Sequence, residues 1–514
     1  MWRRLLSQRH VAAAAGVAAA AGACALPSYC LQRQGSLPSD VLVSVDITER
    51  PEDKWIEVEQ RKRADGFIDW QSPSSDYVRA LRSLRSSFKL PVDTMLALRE
   101  HFMSEAAKGL AGEPSSLKML PTFVTKRVTG AERGDFFALD LGGTNFRVLR
   151  LRLEGDGVVG PVTSMKFSIP DEVKTGTGDA LFGFLADSVA RFCATECGGN
   201  PRGALGFTFS FPVEQTALNA GKLLVWNKGF GASGCLGEDV VALLQRQFES
   251  RGIELRVEAL ANDTVGTMEA AAYRRPDTAM GVILGTGTNA CYVEKTANVA
   301  KWRGAPSDEM VLNTEWGNLQ MARFMNGHDR AVDAATTNPG LQTFEKMISG
   351  MYLGEICRVA LLDPTVARGF SPEARAGLAA ALGARGSLES ATLAAIEADT
   401  SPTLAEAEAL LGGMGVRTTP RDRALVREAC VCVSTRAARL SATAVGALLD
   451  HARMGDAACT VAVDGTVFEK YPWFNERMEA GLVELMGPHR ADGIKLVLAK
   501  DGSGIGAAII ACLA

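Results

Sequence analysis

Two stretches of this chain share one layout, and that repetition constrains the fold more than any other feature. Residues 136–153, FFALDLGGTNFRVLRLRL, run strand, glycine-rich turn, strand, and residues 277–294, DTAMGVILGTGTNACYVE, do the same. Short β-rich runs punctuated by glycine read as paired strands. Such a device met twice predicts a duplicated α/β architecture of two lobes, each opening on its own hairpin. The length of 514 residues agrees, because one ordinary core does not grow that large.

Further elements fall around these hairpins. SLRSSFKL…MLALREHFMSEAAKGLAG predicts an amphipathic helix closed by Gly112. DALFGFLADSVARFCATE reads as a helix with Asp179 in its first turn, ALGFTFSFP as a strand stopped by Pro212, and EDVVALLQRQFESRG as a helix ended by Gly252. Long helices are expected over 339–360 and after TTPRDR, where Thr419 would cap, Pro420 come first and Asp422 third. CTVAVDGTVF and GIKLVLAKDGSG are strands that each end at Asp-Gly, and IGAAIIACLA closes the chain as a helix.

Composition excludes several classes of function. A net charge of −4, 22% charged residues and no basic patch interleaved with aromatics give nothing for DNA or RNA to bind. Among the eleven cysteines, Cys193 with Cys197 and Cys430 with Cys432 lack the second ligand pair of a zinc site. They read as buried free thiols, which suits a reducing compartment. Residues 1–40 differ from the rest, with arginines at the start and no carboxylate before Asp40. The Ala-rich run Val11 to Leu26 would span about 24 Å as a helix, short of a ~30 Å hydrocarbon core. A transit peptide, a marginal membrane anchor and a secretory signal all fit, the last worst because the cysteines are unpaired. The expectation is an organelle-directed leader or outer-membrane anchor over 1–40, and then a polar connector over 41–80.

Three glycine-rich turns could cradle phosphate: 140–145, 285–289 and 501–504. No G-x-x-x-x-G-K-[ST] is present, so a P-loop is absent. GTGTNA and GSGIGA satisfy a loose dinucleotide pattern, but the first leads into a strand and the second into the chain end. In the first turn, Gly142 and Gly143 would let backbone N–H groups approach phosphate oxygens, with Thr144 and Asn145 as neutral donors. Asp140 would repel phosphate, so a Mg²⁺ held partly through water would lie between them. The isolated motif reads equally as a glycine-rich hairpin with a capping aspartate. Likewise Asp263, where LRVEALAND passes into a helix, reads alone as an N-cap, although it projects at a strand's carboxyl end where α/β ligands bind. TFSFP, VWNKGF and NTEWGN set polar residues among aromatics or glycines, a wall suited to a polyhydroxylated ligand.

These segments, in this order, resemble the hexokinase family, in its single-unit plant and green-algal type. SSLKMLPTFV, FALDLGGTNFRVLR, GFTFSFPVEQT, LANDTVGTM, GTGTNACYVE, NTEWGN, FEKMISGMYLGE, VSTRAARLSA, VAVDG and DGSGIGAA carry the resemblance from about Leu81 to the carboxyl end. It implies an actin-like (ribonuclease H-like) ATPase fold of two lobes around a central cleft, with a small lobe over 81–260 and a large lobe over 261–514. The last helix would pack back on the small lobe. The implied activity is transfer of the γ-phosphoryl of MgATP to the 6-hydroxyl of glucose, fructose and mannose, by a monomer attached through its leader to the mitochondrial outer membrane or sent to a plastid, and otherwise cytosolic. Asp263 resembles the general base, with Lys228 beside it. Ser210, Asn227, Lys228, Asn262, Asn289, Glu315 and Glu345 resemble the residues that hold the hexose. Asp140, Gly142, Gly143, Thr144 and Asn145 resemble the first phosphate segment and Gly285, Thr286 and Gly287 the second, with Asp464, Gly465, Thr466, Gly502, Ser503 and Gly504 on the adenosine side. One residue departs from the family pattern, Asn227 standing where a threonine is usual. A weakly active sugar sensor is the alternative the resemblance allows, ahead of an actin-like scaffold that would not need the hexose-lining set.

Overall fold

The computed structural model describes residues 74–142, 145–226, 229–452 and 457–514. The expected leader, the connector as far as residue 73, Gly143, Thr144, the side chain of Asn145, Asn227 and Lys228 lie outside the described residues. Among the described residues no helix is long and apolar enough to cross a membrane.

The strands are β1 (Leu120–Pro121), β2 (Arg133–Leu141), β3 (Asn145–Gly155), β4 (Val158–Ser168), β5 (Gly203–Phe209), β6 (Val213–Ala217) and β7 (Ala220–Leu223). They continue with β8 (Leu255–Ala261), β9 (Thr278–Leu284), β10 (Thr288–Lys295), β11 (Glu309–Asn313), β12 (Cys459–Asp464) and β13 (Ile494–Leu498). One sheet runs β4-β3-β2-β5-β8, a second β1-β11-β10-β9-β12-β13, and β6 pairs with β7 alone. Each large sheet has an antiparallel glycine-turn hairpin, β2–β3 or β9–β10, with parallel strands beside it. The duplicated α/β layout expected from the two hairpins is therefore present.

Side-chain alternation sets the faces of the first sheet. Phe137, Leu139 and Leu141 of β2 enter a core with Leu185 and Phe192 of helix Gly178–Glu196 and Phe248 of helix Val240–Ser250. Ala138, one residue out of step, enters the opposite core with Ala507 and Ile509 of the last helix, Gly502–Leu513. That last helix lies against helix Asp263–Ala272, which in turn lies on β9. Glycine stands at each of these contacts. A Cβ on Gly206 would collide with the Ala507 carbonyl, on Gly506 with the Gly266 backbone, and on Gly281 with the Thr264 carbonyl. The layers joining the two sheets are thus set at backbone-to-backbone distance, and that spacing fixes where Asp263 sits.

Several elements differ from the sequence reading. The single helix expected to end at Gly112 is two, Ser75–Phe88 and Val92–Ala111, because Pro91 cannot continue the first. The first begins at Ser75, inside the expected connector, and buries Tyr77, Ala80, Leu84 and Phe88. The helix expected over 339–360 is also divided, Thr343–Ile348 and Gly350–Leu362, with Ser349 extended between them. The Thr419 cap, Pro420 and Asp422 form a reciprocal capping box on the long helix Pro420–His451, as their spacing predicts. The described cysteines are all free thiols.

Candidate active site

Parallel pairing aligns the carboxyl ends of β2, β5 and β8, with Asp140 opposite Thr208 and Thr208 opposite Ala261. Ser210 follows β5, and its N–H donates to the Leu141 carbonyl at 3.2 Å. Asn262 and Asp263 follow β8 directly. Asn262, not Asp263, is the N-cap: its Oδ1 accepts from the Thr264 N–H at 3.0 Å and the Thr264 hydroxyl at 2.7 Å. Asp263 is the first helical residue, with Oδ1 accepting from the same N–H at 3.0 Å. The cap fixes the main chain, and the aspartate sits at the positive end of the helix dipole.

From Asn262 a chain of amides leads into the second sheet. Asn289 Nδ2 donates to Asn262 Oδ1 at 3.2 Å, to Asn313 Oδ1 at 2.9 Å and to Glu315 Oε1 at 3.3 Å. Asn313 Nδ2 also donates to Glu315 Oε1, at 2.9 Å. Glu315 adopts left-handed backbone angles, φ 52° and ψ 45°, which cost a residue of this type roughly 1–2 kcal/mol. Its amide donates to Asn313 Oδ1 at 3.2 Å, which holds it there. Glu345 reaches the same wall from another side, its Oε2 accepting from the Thr288 N–H at 3.0 Å, directly above Gly287. Trp226, next to the undescribed Asn227, packs against Phe211 and Phe230 at centroid distances of 4.9 Å and 5.5 Å.

A second cluster forms where the first hairpin meets the start of the last helix. Asp140 Oδ2 accepts from Arg147 Nη2 and from Ser503 Oγ, each at 2.9 Å, and Arg147 also pairs with Asp501. Burial works against the Arg147 charge, but Asp140 and Asp501 together hold the guanidinium above its ordinary range. Gly142 follows β2, and Gly504 packs beside Leu149 and the Asp140 Cβ. The second glycine turn meets the strand end at Asp464: Gly285 lies against Gly465 and the Thr466 amide, and the Gly350 and Met351 amides donate to the carbonyls of Gly285 and Thr286 at 2.8 Å and 3.1 Å. Burial pushes the Asp464 carboxyl up to about 6, and the Asp501 charge adds to the effect.

The structure therefore joins Asn262, Asn289 and Glu315 into one polar network, links Glu345 to the second turn, and brings Asp140 to Ser503 and Gly285 to Gly465. Two participants had no role in the sequence reading. Arg147 could have been found from register, since a hairpin pairing Leu141 with Phe146 sets Asp140 opposite Arg147. Asn313 stands in the quoted NTEWGN, but nothing in the sequence says that its side chain turns toward Asn289. Among the described residues no three His, Cys, Asp or Glu side chains converge as a metal cage.

Two hairpin-led sheets with parallel strands beside them, and an aspartate at the start of the helix that lies between them, define an actin-like, two-lobed kinase fold. Comparison with known proteins narrows this class. Two hexokinase family models match, one over residues 80–273 and the other over 279–513. Hexokinase-1 of rice is 41% identical, over 84% of this chain and 90% of its own length. Human Hexokinase-3 is 42% identical over 85% of this chain, which spans only 47% of that protein. A rice protein named Hexokinase-4, chloroplastic, is 39% identical over 86% of this chain. The solved hexokinase of Schistosoma mansoni, in complex with glucose, superposes over 86% of this chain and all of its own, at 36% identity and a TM-score of 0.76. The chain belongs to the hexokinase family, and its activity is ATP-dependent phosphorylation of hexoses.

Proposed function

We propose that this chain moves the γ-phosphoryl group of MgATP to the 6-hydroxyl of glucose, and also of fructose and mannose, with Asp263 as general base. The observation that carries this reading is the setting of Asp263. It opens a helix at the carboxyl end of β8, and its neighbour Asn262 begins the amide chain to Asn289, Asn313 and Glu315. A base so placed accepts the hydroxyl proton as the sugar oxygen attacks phosphorus, a contribution of about 10²–10⁴-fold. Lys228 is the second catalytic residue and supplies positive charge. Ser210, Asn227, Asn262, Asn289, Glu315 and Glu345 hold the remaining hydroxyls, the carboxylates as acceptors and the amides as both donors and acceptors. Asn227, in place of threonine, alters hexose affinity without touching the chemistry.

On the nucleotide side, Gly142, Gly143, Thr144 and Asn145, with Gly285, Thr286 and Gly287, offer main-chain donors to phosphate oxygens. Asp464, Gly465, Thr466, Gly502, Ser503 and Gly504 receive the adenosine. Asp140 is the residue for magnesium. Its Oδ2 already accepts from Arg147 and Ser503, so Oδ1 is the atom to meet a hydrated ion, and one carboxylate suits a cation that keeps most of its waters. When bound, the ion neutralises charge on the transferring phosphoryl group. Hexose binding draws the lobe built on the first sheet toward the lobe built on the second, to which β1 and so the start of the expected 81–260 lobe belong, and excludes water, so ATP without sugar is hydrolysed slowly.

The chain works as a monomer. Residues 1–40 direct it to a plastid or to the cytosolic face of the mitochondrial outer membrane, the plastid reading being supported by the likeness to a rice protein named chloroplastic. Imaging residues 1–40 fused to a fluorescent reporter tests this, and a diffuse cytosolic signal would refute it. A coupled assay on the purified chain with glucose, fructose and mannose tests the chemistry: sugar 6-phosphate should form from each, and a product esterified elsewhere would overturn the regiochemistry.

A further inference from the structure

A cavity of about 390 Å³ separates elements of the two sheets, and two lysines and two glutamates line it. On one side are Lys118, just before β1, and Lys301, on the loop between β10 and β11. On the other are Glu214 of β6 and Leu224, which follows β7. The β6–β7 hairpin is bound to the first sheet, Gln215 Nε2 donating to the Leu260 carbonyl at 2.9 Å and the Leu260 N–H to Leu218 at 2.8 Å. The lysine side is bound to the second, the Lys118 N–H donating to the Thr314 carbonyl at 3.1 Å, one residue before Glu315.

Lys301 donates through Nζ to the Lys118 carbonyl. Burial, with the like charge of Lys118 added, lowers its ammonium to about 8. Glu214 is exposed and makes no ion pair among the described residues, and Leu224 is also exposed. Glu113 lines the same cavity, but from the lysines' own side. An acid and a pair of bases thus face each other across a gap, carried by separate sheets.

We propose that Glu214 and the Lys118–Lys301 pair form an electrostatic latch that engages when a hexose draws the lobes together. The proposal rests on the hexose-driven closure described above. Closing the gap pairs Glu214 with an ammonium that has no acid partner among the described residues and covers Leu224, while the Lys118–Thr314 hydrogen bond links the latch to the segment holding Glu315. Both effects favour the sugar-bound form, so the latch tightens hexose binding and leaves the chemical step alone.

The test is calorimetric titration of glucose into the full chain at low and high salt, with KM and kcat measured in parallel. Glu214→Lys should raise Kd and KM roughly two- to fivefold, the range of an exposed pair, leave kcat unchanged and abolish the salt dependence. Glu214→Lys with Lys301→Glu should restore the original affinity, and Glu113→Lys should not be rescued by that same second change. An unchanged Kd for Glu214→Lys, or a double variant whose losses simply add, would overturn the latch. Glu214→Gln, the milder change, should give an intermediate loss at unaltered Tm, so misfolding cannot account for the result. Calorimetry requires no turnover: glucose bound but never phosphorylated would overturn the proposed chemistry and leave the latch standing.

Discussion

Ser503 Oγ donates to Asp140 Oδ2 at 2.9 Å, across 363 positions of sequence. With Arg147 on the same oxygen, it holds the Asp140 carboxylate at the mouth of the first glycine turn. Ser503→Ala removes one of two restraints and should raise KM for ATP about tenfold, because a hydrogen bond to a charged group contributes roughly 1.5–3 kcal/mol. KM for glucose should stay within twofold. Initial rates with one substrate varied at a time check this, and an equal rise in both would place Ser503 in folding and not in nucleotide binding.

Asn313 makes the complementary prediction for the sugar. It accepts from Asn289 and donates to Glu315, so Asn313→Ala removes the shortest of the three hydrogen bonds from Asn289 Nδ2 and one of the amide donors to Glu315 Oε1, loosening both. KM for glucose should rise about tenfold or more, with KM for ATP unchanged. Asn313→Asp should fare no better, since it replaces a donor to Glu315 by a like charge. Steady-state kinetics on both variants decide the matter.

Glu269 lies on the same helix as Asp263, wholly buried, with neither carboxyl oxygen in a hydrogen bond. Burial pushes its pKa up from 4.5 to about 7. The Arg127 charge and the Val128 amide oppose this, while Glu132 and Glu309 reinforce it. A carboxyl raised in the folded state favours folding when protonated, so its contribution is full below pH 4.5 and is lost between there and about pH 7. Glu269→Gln should therefore stabilise the chain on the order of 2 kcal/mol at pH 8 and change little at pH 4.5. Thermal melts at the two pH values test it, and an equal shift at both would rule out ionisation of this group as the cause.

Much of this arrangement is legible in the sequence because the informative residues are local. Glycine turns, the Thr419–Pro420–Asp422 cap and the Asp-Gly strand ends each act within a few residues, so their spacing alone reports them. Features fixed by distant contacts are hidden. β4 was not anticipated, for its residues alternate only between partial burial and exposure and offer no apolar stripe to read. The break at Ser349 arises because the Gly350 and Met351 amides bond to the second glycine turn, a demand made by residues some 65 positions earlier. At the site the same division holds. Asp263 and the glycines stand in recognisable strings, whereas the roles of Asn313 and Arg147 exist only once two strands are paired in register.

The central claim is that Asp263 accepts the proton of the attacking sugar hydroxyl. The most direct measurement is single-turnover phosphoryl transfer by Asp263→Ala with saturating glucose and MgATP, glucose affinity being followed by calorimetry on the same protein. A base in this position predicts a rate at least 10²–10⁴-fold below that of the unaltered chain, with glucose binding weakened far less. A transfer rate within tenfold of normal would contradict the account, whatever became of the affinity.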